Sequence, residues 1–291
     1  MTVPTVERDL RRRPRVAFGD FEDDRVKEVV AQLLAEDVID PVVVTDRTDL
    51  DVDFEIVQSS GEDQLTTLAR VVARPDVDAG ISGSISSSAA VIRAGIKGLA
   101  PSQLVTGCFI MRWDGAFTTF ADCSVVPDPT DEQLAIIAGS AADLHWAATG
   151  IEPRVGMLSF STNGSATHEA VAKVRRATDI LRTDKPDLLV EGELQFDAAV
   201  DPSVGLRKFP GSSIAGRANV LIFPTLDAGN IAYKVAERIG GAHALGSFVL
   251  NLSKPWIDLS RGCSVEDLMD TARLVASMTT STTLVKERLT P

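Results

Sequence analysis

The chain has 291 residues, 44% of them hydrophobic and 24% charged, which is an ordinary globular balance and length enough for two domains. Its formal net charge of −12 argues against a general nucleic-acid binder, because phosphate backbones need a cationic surface. No apolar run reaches the roughly 18 residues of a membrane span, and none follows Arg11-Arg12-Arg13 as in a secretory signal. We therefore expect a cytoplasmic protein that does not bind membranes.

The first hundred residues alternate apolar runs with segments of helical periodicity. Predicted strands cover residues 15–18, 41–45, 54–57 and 77–81, and predicted helices cover 24–37, 63–73 and 88–98. Strands that alternate with helices indicate an α/β fold with a largely parallel sheet.

The rhythm changes near Pro101-Ser102, where two strands follow one another closely. They cover 104–111 and 117–126, and Trp113-Asp114-Gly115 between them predicts a hairpin. Further strands are predicted at 154–160, 188–190 and 220–223, and helices at 131–149, 168–182, 230–239 and 265–278, with Asn230 as a helix cap. We expect a first domain of 1–102 with a C-terminal return of 254–291, and a second domain of 103–253.

Cysteine and histidine are scarce and widely spaced. They are Cys108, Cys123, Cys263, His145, His168 and His243. An odd number of distant cysteines forms neither a disulfide framework nor a zinc site, so we expect no metal.

The segment from Ile257 to Asp267 concentrates chemically useful side chains. Arg261 presents a planar fork of donors that suits phosphate or carboxylate, and Asp267 is a candidate proton acceptor. Ser264 followed by acids in the first turn predicts a helix N-terminus, which attracts anions. Cys263 is a possible nucleophile there, but a small packing residue is the reading we favour. The segment predicts an anion site with a carboxylate base.

Two polar loops follow predicted strands, where ligands bind in open α/β sheets. The loop 159–166 carries Ser161, Thr162, Gly164 and Ser165, and it is either a phosphate cradle or an ordinary loop with a good helix cap. The Ser-rich loop 82–88 precedes Arg93, and taken alone it favours an ordinary cap with a solvated arginine. Glu191, Glu193 and Asp197 follow a buried strand, but no second ligand cluster supports a metal there.

From Arg154 onward, and in parts before it, the chain resembles the phosphate acetyltransferase (phosphotransacetylase) family. The matching segments include 22–26, 120–123, 127–134, 157–162, 164–166, 186–189, 192–199, 218–224, 228–231, 254–255 and 258–267. The resemblance implies two α/β/α domains with largely parallel sheets and an inter-domain cleft, similar to isocitrate dehydrogenases, in a homodimer. It also implies reversible acetyl transfer between CoA and inorganic phosphate, with acetyl-CoA as a substrate and no permanently bound cofactor.

The family's functional residues fall on particular positions of this chain. By the resemblance, Asp267 is the base that deprotonates the CoA thiol, Ser260 is a hydroxyl near the tetrahedral centre, and Arg261 binds the phosphate. The further substrate-binding residues that we expect are Arg93, Arg238, Ser161, Thr162, Gly164, Ser165 and Asn230.

The chain also departs from the family pattern. The stretch between Asp46 and Asp78 is short and lacks a basic helical insert, and Ser86 stands where a histidine is common. Two alternatives therefore stay open: a phosphate butyryl- or propionyltransferase, and a non-catalytic acetyl-CoA-binding regulatory protein of the same fold.

Overall fold

The computed structural model describes the backbone of residues 12–288 and the side chains of residues 12–279. The first and last residues of the predicted first domain, 1–11 and 289–291, therefore lie outside the described residues. The chain divides into two compact units, with boundaries between Gln103 and Leu104 and between Ala244 and Leu245. The predicted domains and the cleft between them stay predictions.

The elements alternate along the chain, and both units pair their strands mostly in parallel. The strands are β1 (Arg15–Phe18), β2 (Asp40–Val44), β3 (Glu55–Val57), β4 (Ala79–Ser82), β5 (Thr106–Trp113), β6 (Ala116–Ala121), β7 (Arg154–Leu158), β8 (Leu189–Leu194), β9 (Val220–Ile222), β10 (His243–Leu250) and β11 (Trp256–Asp258). The helices are α1 (Asp24–Ala35), α2 (Gln64–Val72), α3 (Ser88–Gly98), α4 (Asp131–Thr149), α5 (Glu169–Asp184), α6 (Phe196–Val200), α7 (Pro202–Lys208), α8 (Leu226–Arg238) and α9 (Val265–Arg288). The predicted α/β class is confirmed.

In the first unit, β3, β2, β1, β4 and β11 lie side by side in parallel, and β10 adds an antiparallel edge to β11. The helices bury apolar faces against this sheet; in α1 that face is Val26, Val29, Val30 and Leu33. Because β1, β4 and β11 are parallel neighbours, their carboxyl ends meet at one edge, where loops carry ligands in such sheets.

Trp256 on β11 is packed between two glycines of the first unit. A Cβ atom at Gly80 would lie 2.8 Å from its ring, and one at Gly95 would lie 2.7 Å from it. The indole Nε1 donates a hydrogen bond of 3.0 Å to the carbonyl of Val91, so its polar edge is satisfied although the side chain is fully buried. The two glycines fix how closely α3 and β4 approach β11.

The second unit contains the order β5, β6, β9, β7 and β8. The β5–β6 pair is antiparallel, and the other neighbours are parallel. The predicted hairpin is confirmed: Asp114 and Gly115 have φ of 44° and 80°, the pair of positive angles that a tight two-residue turn requires. Phe109 stacks on Tyr233 of α8 with ring centroids 4.1 Å apart, inside an apolar core.

Several predicted boundaries differ from the structure, and two of them are wrong for clear local reasons. The strand predicted to reach residue 126 ends at Ala121, because the buried Asp122 carboxylate accepts the N–H groups of Ser124 (2.7 Å) and Val125 (2.9 Å) and turns the chain. Asn230 is not a helix cap: α8 begins four residues earlier, and the Thr225 hydroxyl accepts the first-turn N–H of Ala228.

Candidate active site

The carboxyl end of β1 places a buried carboxylate beside the Ser-rich loop that follows β4. Asp20 is 6% exposed and accepts hydrogen bonds from the Ser82 hydroxyl (2.9 Å), the Gly83 N–H (2.6 Å) and the Ser86 hydroxyl (2.6 Å). Asp20 therefore fixes the shape of this loop. Sequence reasoning gave it no role, because the partners come together only through the pairing of β1 with β4.

A second buried carboxylate, Asp258, ends β11 in register with Ser82. It is 3% exposed, and its Oδ1 has no hydrogen-bond partner among the described residues. Its pKa is raised to about 6, mainly by burial and also by the negative charge of Asp20. A hydrogen bond from Ser88 and the positive charge of Arg261 act in the opposite direction. Asp258 thus carries a titratable group into the site close to neutral pH.

The segment after β11 is held in place by an arginine from another part of the chain. Arg25 donates to the carbonyls of Arg261 (3.1 Å), Cys263 (2.6 Å) and Ser84 (3.0 Å). Its guanidinium is paired with Asp23 at 2.6 Å. Arg25 therefore clamps the loop that carries the predicted site to the start of α1. It lies in one of the matching segments, 22–26, but nothing in its spacing predicted the contact.

The predicted helix start at Ser264 is confirmed, and it orients Asp267. The Ser264 hydroxyl accepts the Asp267 N–H at 3.1 Å, as a capping residue does. In return, Asp267 Oδ2 accepts the N–H (2.9 Å) and the hydroxyl (2.7 Å) of Ser264. The carboxylate is 8% exposed, so it is held in a mostly dry position at the first turn of α9.

The two arginines expected in this unit present their side chains to solvent. Arg93 on α3 and Arg261 after β11 are both exposed, and neither side chain has a hydrogen bond or ion pair with another residue of the described part of the chain. Ser260 lies directly before Arg261, is half-buried, and its Oγ accepts the Gly262 N–H at 3.3 Å. Four predicted site residues, Arg93, Ser260, Arg261 and Asp267, thus belong to this unit, and their joint role in a site stays a prediction.

Cys263 lies in the same segment but is poorly suited to attack a substrate. It is 5% exposed, and burial raises the pKa of its thiol to about 11, although Arg25 acts in the opposite direction. A thiol of that pKa is protonated at neutral pH, and the thiolate is the nucleophilic form. The geometry supports the reading of Cys263 as a packing residue.

In the second unit, the polar loop after β7 is folded around a buried carboxylate. Glu193 Oε1 accepts the Ser161 hydroxyl at 2.7 Å and the Gly164 N–H at 2.9 Å. Arg175 donates to both carboxylate oxygens, at 2.6 and 3.1 Å. Burial alone would raise the pKa of Glu193, but the bonds from Arg175, Gly164 and Ser161 outweigh it and bring the pKa to about 2.

The remaining polar groups of this loop also have partners within the unit. Ser165 accepts the Thr162 N–H at 3.0 Å, and the Thr162 hydroxyl accepts the Gln195 N–H at 2.8 Å. Several groups that a phosphate cradle would use are therefore engaged in shaping the loop. A role for Ser161, Thr162, Gly164 and Ser165 in substrate binding stays a prediction.

Asn230 and Arg238 both lie on α8 of the second unit. The Asn230 amide donates to the carbonyl of Cys123 at 2.9 Å and accepts from Lys234 at 3.1 Å. Arg238 is exposed near the end of the helix, 3.4 Å from Glu237. Their predicted contacts with substrate stay predictions.

No group of three or more His, Cys, Asp or Glu side chains within residues 12–279 is arranged to hold a metal ion. The three acids on and after β8, which were weighed as a metal site, are instead paired with basic side chains. Glu191 pairs with Arg182, Glu193 with Arg175, and Asp197 with Lys208. No helix in the described part of the chain is both long and apolar enough to cross a membrane.

The first unit is a mostly parallel α/β sheet with the buried Asp20 and Asp258 and the exposed Arg261 at or after its carboxyl strand ends, which is the edge where α/β proteins of this class bind ligands. The family described as phosphate acetyl/butaryl transferase matches residues 44–276, which is most of the sequence. The chain belongs to that family, and the resemblance stated from its motifs is confirmed.

Curated relatives and solved structures agree with this placement. A phosphate acetyltransferase from Thermoanaerobacterium thermosaccharolyticum is 46% identical over 200 residues, which are 65% of this chain and 61% of the relative. One from Nitrosomonas europaea is 45% identical over 74% of this chain and 31% of its own length. The chain thus spans about a third to three fifths of these relatives. The solved phosphotransacetylase from Streptococcus pyogenes has a TM-score of 0.81 at 31% identity, covering 92% of this chain and 94% of its own.

Proposed function

We propose that this protein is a phosphate acetyltransferase, which moves an acetyl group reversibly between CoA and inorganic phosphate. The observation that carries the proposal is one short segment of the first unit that holds three reactive groups. Ser260, the exposed guanidinium of Arg261 and the buried carboxylate of Asp267 follow β11, and Arg25 fixes the backbone between them. Membership of the family supports the assignment.

The proposed reaction joins CoA and acetyl phosphate in one complex. Asp267 takes the proton of the CoA thiol, because a free thiol is mostly protonated at neutral pH. The thiolate attacks the acetyl carbonyl carbon, and the Ser260 hydroxyl donates to the oxygen that becomes negative. Arg261 binds the phosphate, which departs as the carbon–oxygen bond breaks. The reverse reaction makes acetyl phosphate from acetyl-CoA.

The other predicted residues would bind the substrates. Arg93 presents an exposed cation on α3, and Arg238 presents one on α8. The loop with Ser161, Thr162, Gly164 and Ser165, together with Asn230, would contact substrate from the second unit. CoA is a substrate here and not a resident cofactor. The two domains with a cleft that the family resemblance implies would suit a reaction between two bound substrates.

We also propose that the protein is a cytoplasmic homodimer. An apolar stripe on α8 supports the dimer: Ile231 is 61% exposed, Val235 is 49% exposed, and Ile239, directly after the helix, is 83% exposed. Three large apolar side chains at a spacing of four residues form one helix face, and such a face favours burial in an interface. Sedimentation of the full chain should give twice the mass of one chain; a monomeric mass would contradict the dimer.

Release of free thiol from acetyl-CoA on addition of phosphate tests the activity. We expect phosphate-dependent thiol release, with acetyl-CoA used at a higher kcat/KM than propionyl- or butyryl-CoA. A preference for the longer acyl groups would make the protein a butyryl- or propionyltransferase. Acetyl-CoA binding by calorimetry without turnover of any of the three would leave only a regulatory role.

A further inference from the structure

The surroundings of Asp258 disfavour the ionised form of its side chain. It ends β11 in register with Ser82 of β4, three residues before Arg261 in the chain, and it is 3% exposed. Its Oδ1 has no hydrogen-bond partner within residues 12–279, and a Cβ atom on Gly83 would lie 2.7 Å from it. A buried carboxylate oxygen without a donor is destabilising, because nothing replaces the water it has lost.

The donors nearby are already bound to the other carboxylate. Ser82, Ser86 and the backbone of Gly83 all donate to Asp20, at 2.6 to 2.9 Å. Of the two carboxylates at these strand ends, one is therefore well solvated by the protein and the other is not. The next hydroxyl of the same loop, that of Ser84, is buried and also lacks a partner in the described part of the chain.

Two charged groups act on Asp258, and they act in opposite directions. Asp20, from the segment after β1, disfavours a second negative charge, whereas Arg261, from the segment after β11, favours it. The loop after β4 contributes the Gly83 backbone, and α3 contributes the Ser88 hydroxyl. The ionised form of Asp258 is therefore favoured first by the Ser88 hydrogen bond and then by the charge of Arg261, which is the one of the two that a bound anion would neutralise.

Binding of an anion changes this balance. An oxyanion on the guanidinium neutralises the charge that favours ionised Asp258, and it adds negative charge beside a buried carboxylate. Both effects favour the neutral acid. We propose that Asp258 takes up a proton from solvent when an oxyanion binds to Arg261, so that anion and proton bind together.

The step is a protonation of the Asp258 carboxylate by solvent, and no bond of the substrate is made or broken. Asp258 is thus a positioning residue that adjusts the charge behind Arg261 and does not touch the reacting atoms. The inference rests on the proposed function only in taking Arg261 as the anion ligand. Because the pKa of Asp258 is about 6 before binding, the group is mostly ionised at pH 7 and has room to gain a proton.

Sulfate is the probe for a test, since its charge does not change near neutral pH, whereas that of phosphate does. Titration of sulfate into the full chain at pH 7, in buffers of different ionisation enthalpy, measures the protons taken up. We expect the wild-type chain to take up part of a proton and Asp258→Asn to take up none. Between pH 6 and 8 the wild-type affinity should fall by up to about tenfold per unit, and that of Asp258→Asn much less.

Two further variants locate the effect. Asp49→Asn removes an exposed carboxylate from the same unit and should keep the wild-type proton uptake. Arg261→Gln should lose sulfate affinity; unchanged sulfate binding in this variant would place the anion elsewhere and overturn the inference. Equal proton uptake by the wild-type chain and Asp258→Asn would also overturn it. If Asp258→Asn does not fold, absence of proton uptake by the wild-type chain is a sufficient refutation.

The outcome is separable from that of the acetyltransferase assay. A chain that releases thiol with phosphate, but shows no Asp258-dependent proton uptake, keeps the proposed function and loses the inference. A chain that shows the uptake without turnover keeps the inference and loses the function.

Discussion

Asp267 has a structural role and a proposed chemical role, and one substitution separates them. The carboxylate accepts two hydrogen bonds from Ser264, and its own N–H is capped by the same serine. An amide at this position keeps the shape and one acceptor oxygen but takes up no proton. The capping role and the base role therefore predict different kinetic results.

For Asp267→Asn we expect kcat to fall by about a hundredfold or more, the usual contribution of a general base, with KM for CoA nearly unchanged. Steady-state kinetics in both directions measure this. Glu266→Gln is the matched control, because it removes an exposed carboxylate from the same helical turn and should keep kcat. An unchanged kcat in Asp267→Asn would remove this residue from the base role.

At the scale of the elements, the conformation of the loop after β7 depends on the Glu193 carboxylate more than on the serines of the loop itself. The carboxylate holds Ser161, Gly164 and Arg175 at once. Glu193→Gln leaves part of this network unpaired in a buried place, so we expect a loss of about 2 kcal/mol or more in the free energy of unfolding. Urea unfolding measures it. Glu191→Gln, which alters a more exposed pair on the same strand, should cost less.

The contact of α4 with β6 predicts a dependence of stability on pH. His145 is fully buried, with Nδ1 2.9 Å from the Thr119 hydroxyl and Nε2 without a partner in the described residues. Its pKa is lowered from 6.5 to about 4, mainly by burial and also by the positive charge of Arg154. As the pH falls, the unfolded chain takes up this proton before the folded chain does. The contribution of neutral His145 to the free energy of unfolding is therefore fully present above about pH 6.5 and is lost between there and about pH 4.

The difference between the pKa of His145 in the unfolded chain and in the folded chain corresponds to about 3 kcal/mol in the free energy of unfolding. We therefore expect His145→Gln to lose less stability than the wild-type chain when the pH falls from 6.5 to 4. Thermal unfolding across this range measures the difference. His168→Asn changes an exposed helix cap and should keep the wild-type pH slope; a similar slope for His145→Gln would contradict the assignment.

Elements with enough local pattern were predictable, and those made by distant pairing were not. The residue bounds of α3 and α4 agree with the periodicity, and the capping of α9 was visible within four residues. By contrast, β11 has three residues and no pattern of its own. It is a strand because β4 and β10 pair with it, so the sequence analysis predicted no strand there.

The same reason limits what the sequence tells about the site. Ser260, Arg261 and Asp267 are close together in the chain, and their types alone suggest anion binding and proton transfer. Asp20 and Asp258 come from opposite ends of the chain, and they meet only because β1 and β11 both pair with β4. The clamp by Arg25 depends on the same strand order.

At the scale of the molecule, the two ends of the sheet in the first unit serve different purposes. The carboxyl ends hold the candidate site, whereas ion pairs collect at the amino ends. Arg15 and Arg74 each pair with Glu55 and Asp76 there, and Lys254 donates to the carbonyls of Arg74 and Val77. The hydrogen bond from Arg74 is the main cause that lowers the pKa of Glu55.

Glu55→Gln should therefore reduce stability without affecting catalysis. We expect a loss of about 1 kcal/mol, because the network is partly exposed to solvent, and an unchanged kcat/KM. The wild-type contribution should disappear as the pH falls below the ordinary range of a glutamate. Thermal unfolding measures the change in stability, and the thiol assay measures catalysis. A fall in kcat/KM would show that the amino ends of the strands are coupled to the candidate site at their carboxyl ends.

The packing of Trp256 gives the first unit an optical signature. The chain has three tryptophans, and Trp256 is the one in this unit; Trp113 and Trp146 belong to the other. An indole held dry between two glycines emits at shorter wavelength than one in water, and Trp146 is 56% exposed. In a chain with Trp113→Phe and Trp146→Phe, a red shift of the emission would mark the moment when β11 leaves α3. The fluorescence of a single side chain would then follow the opening of the strand that carries Asp258.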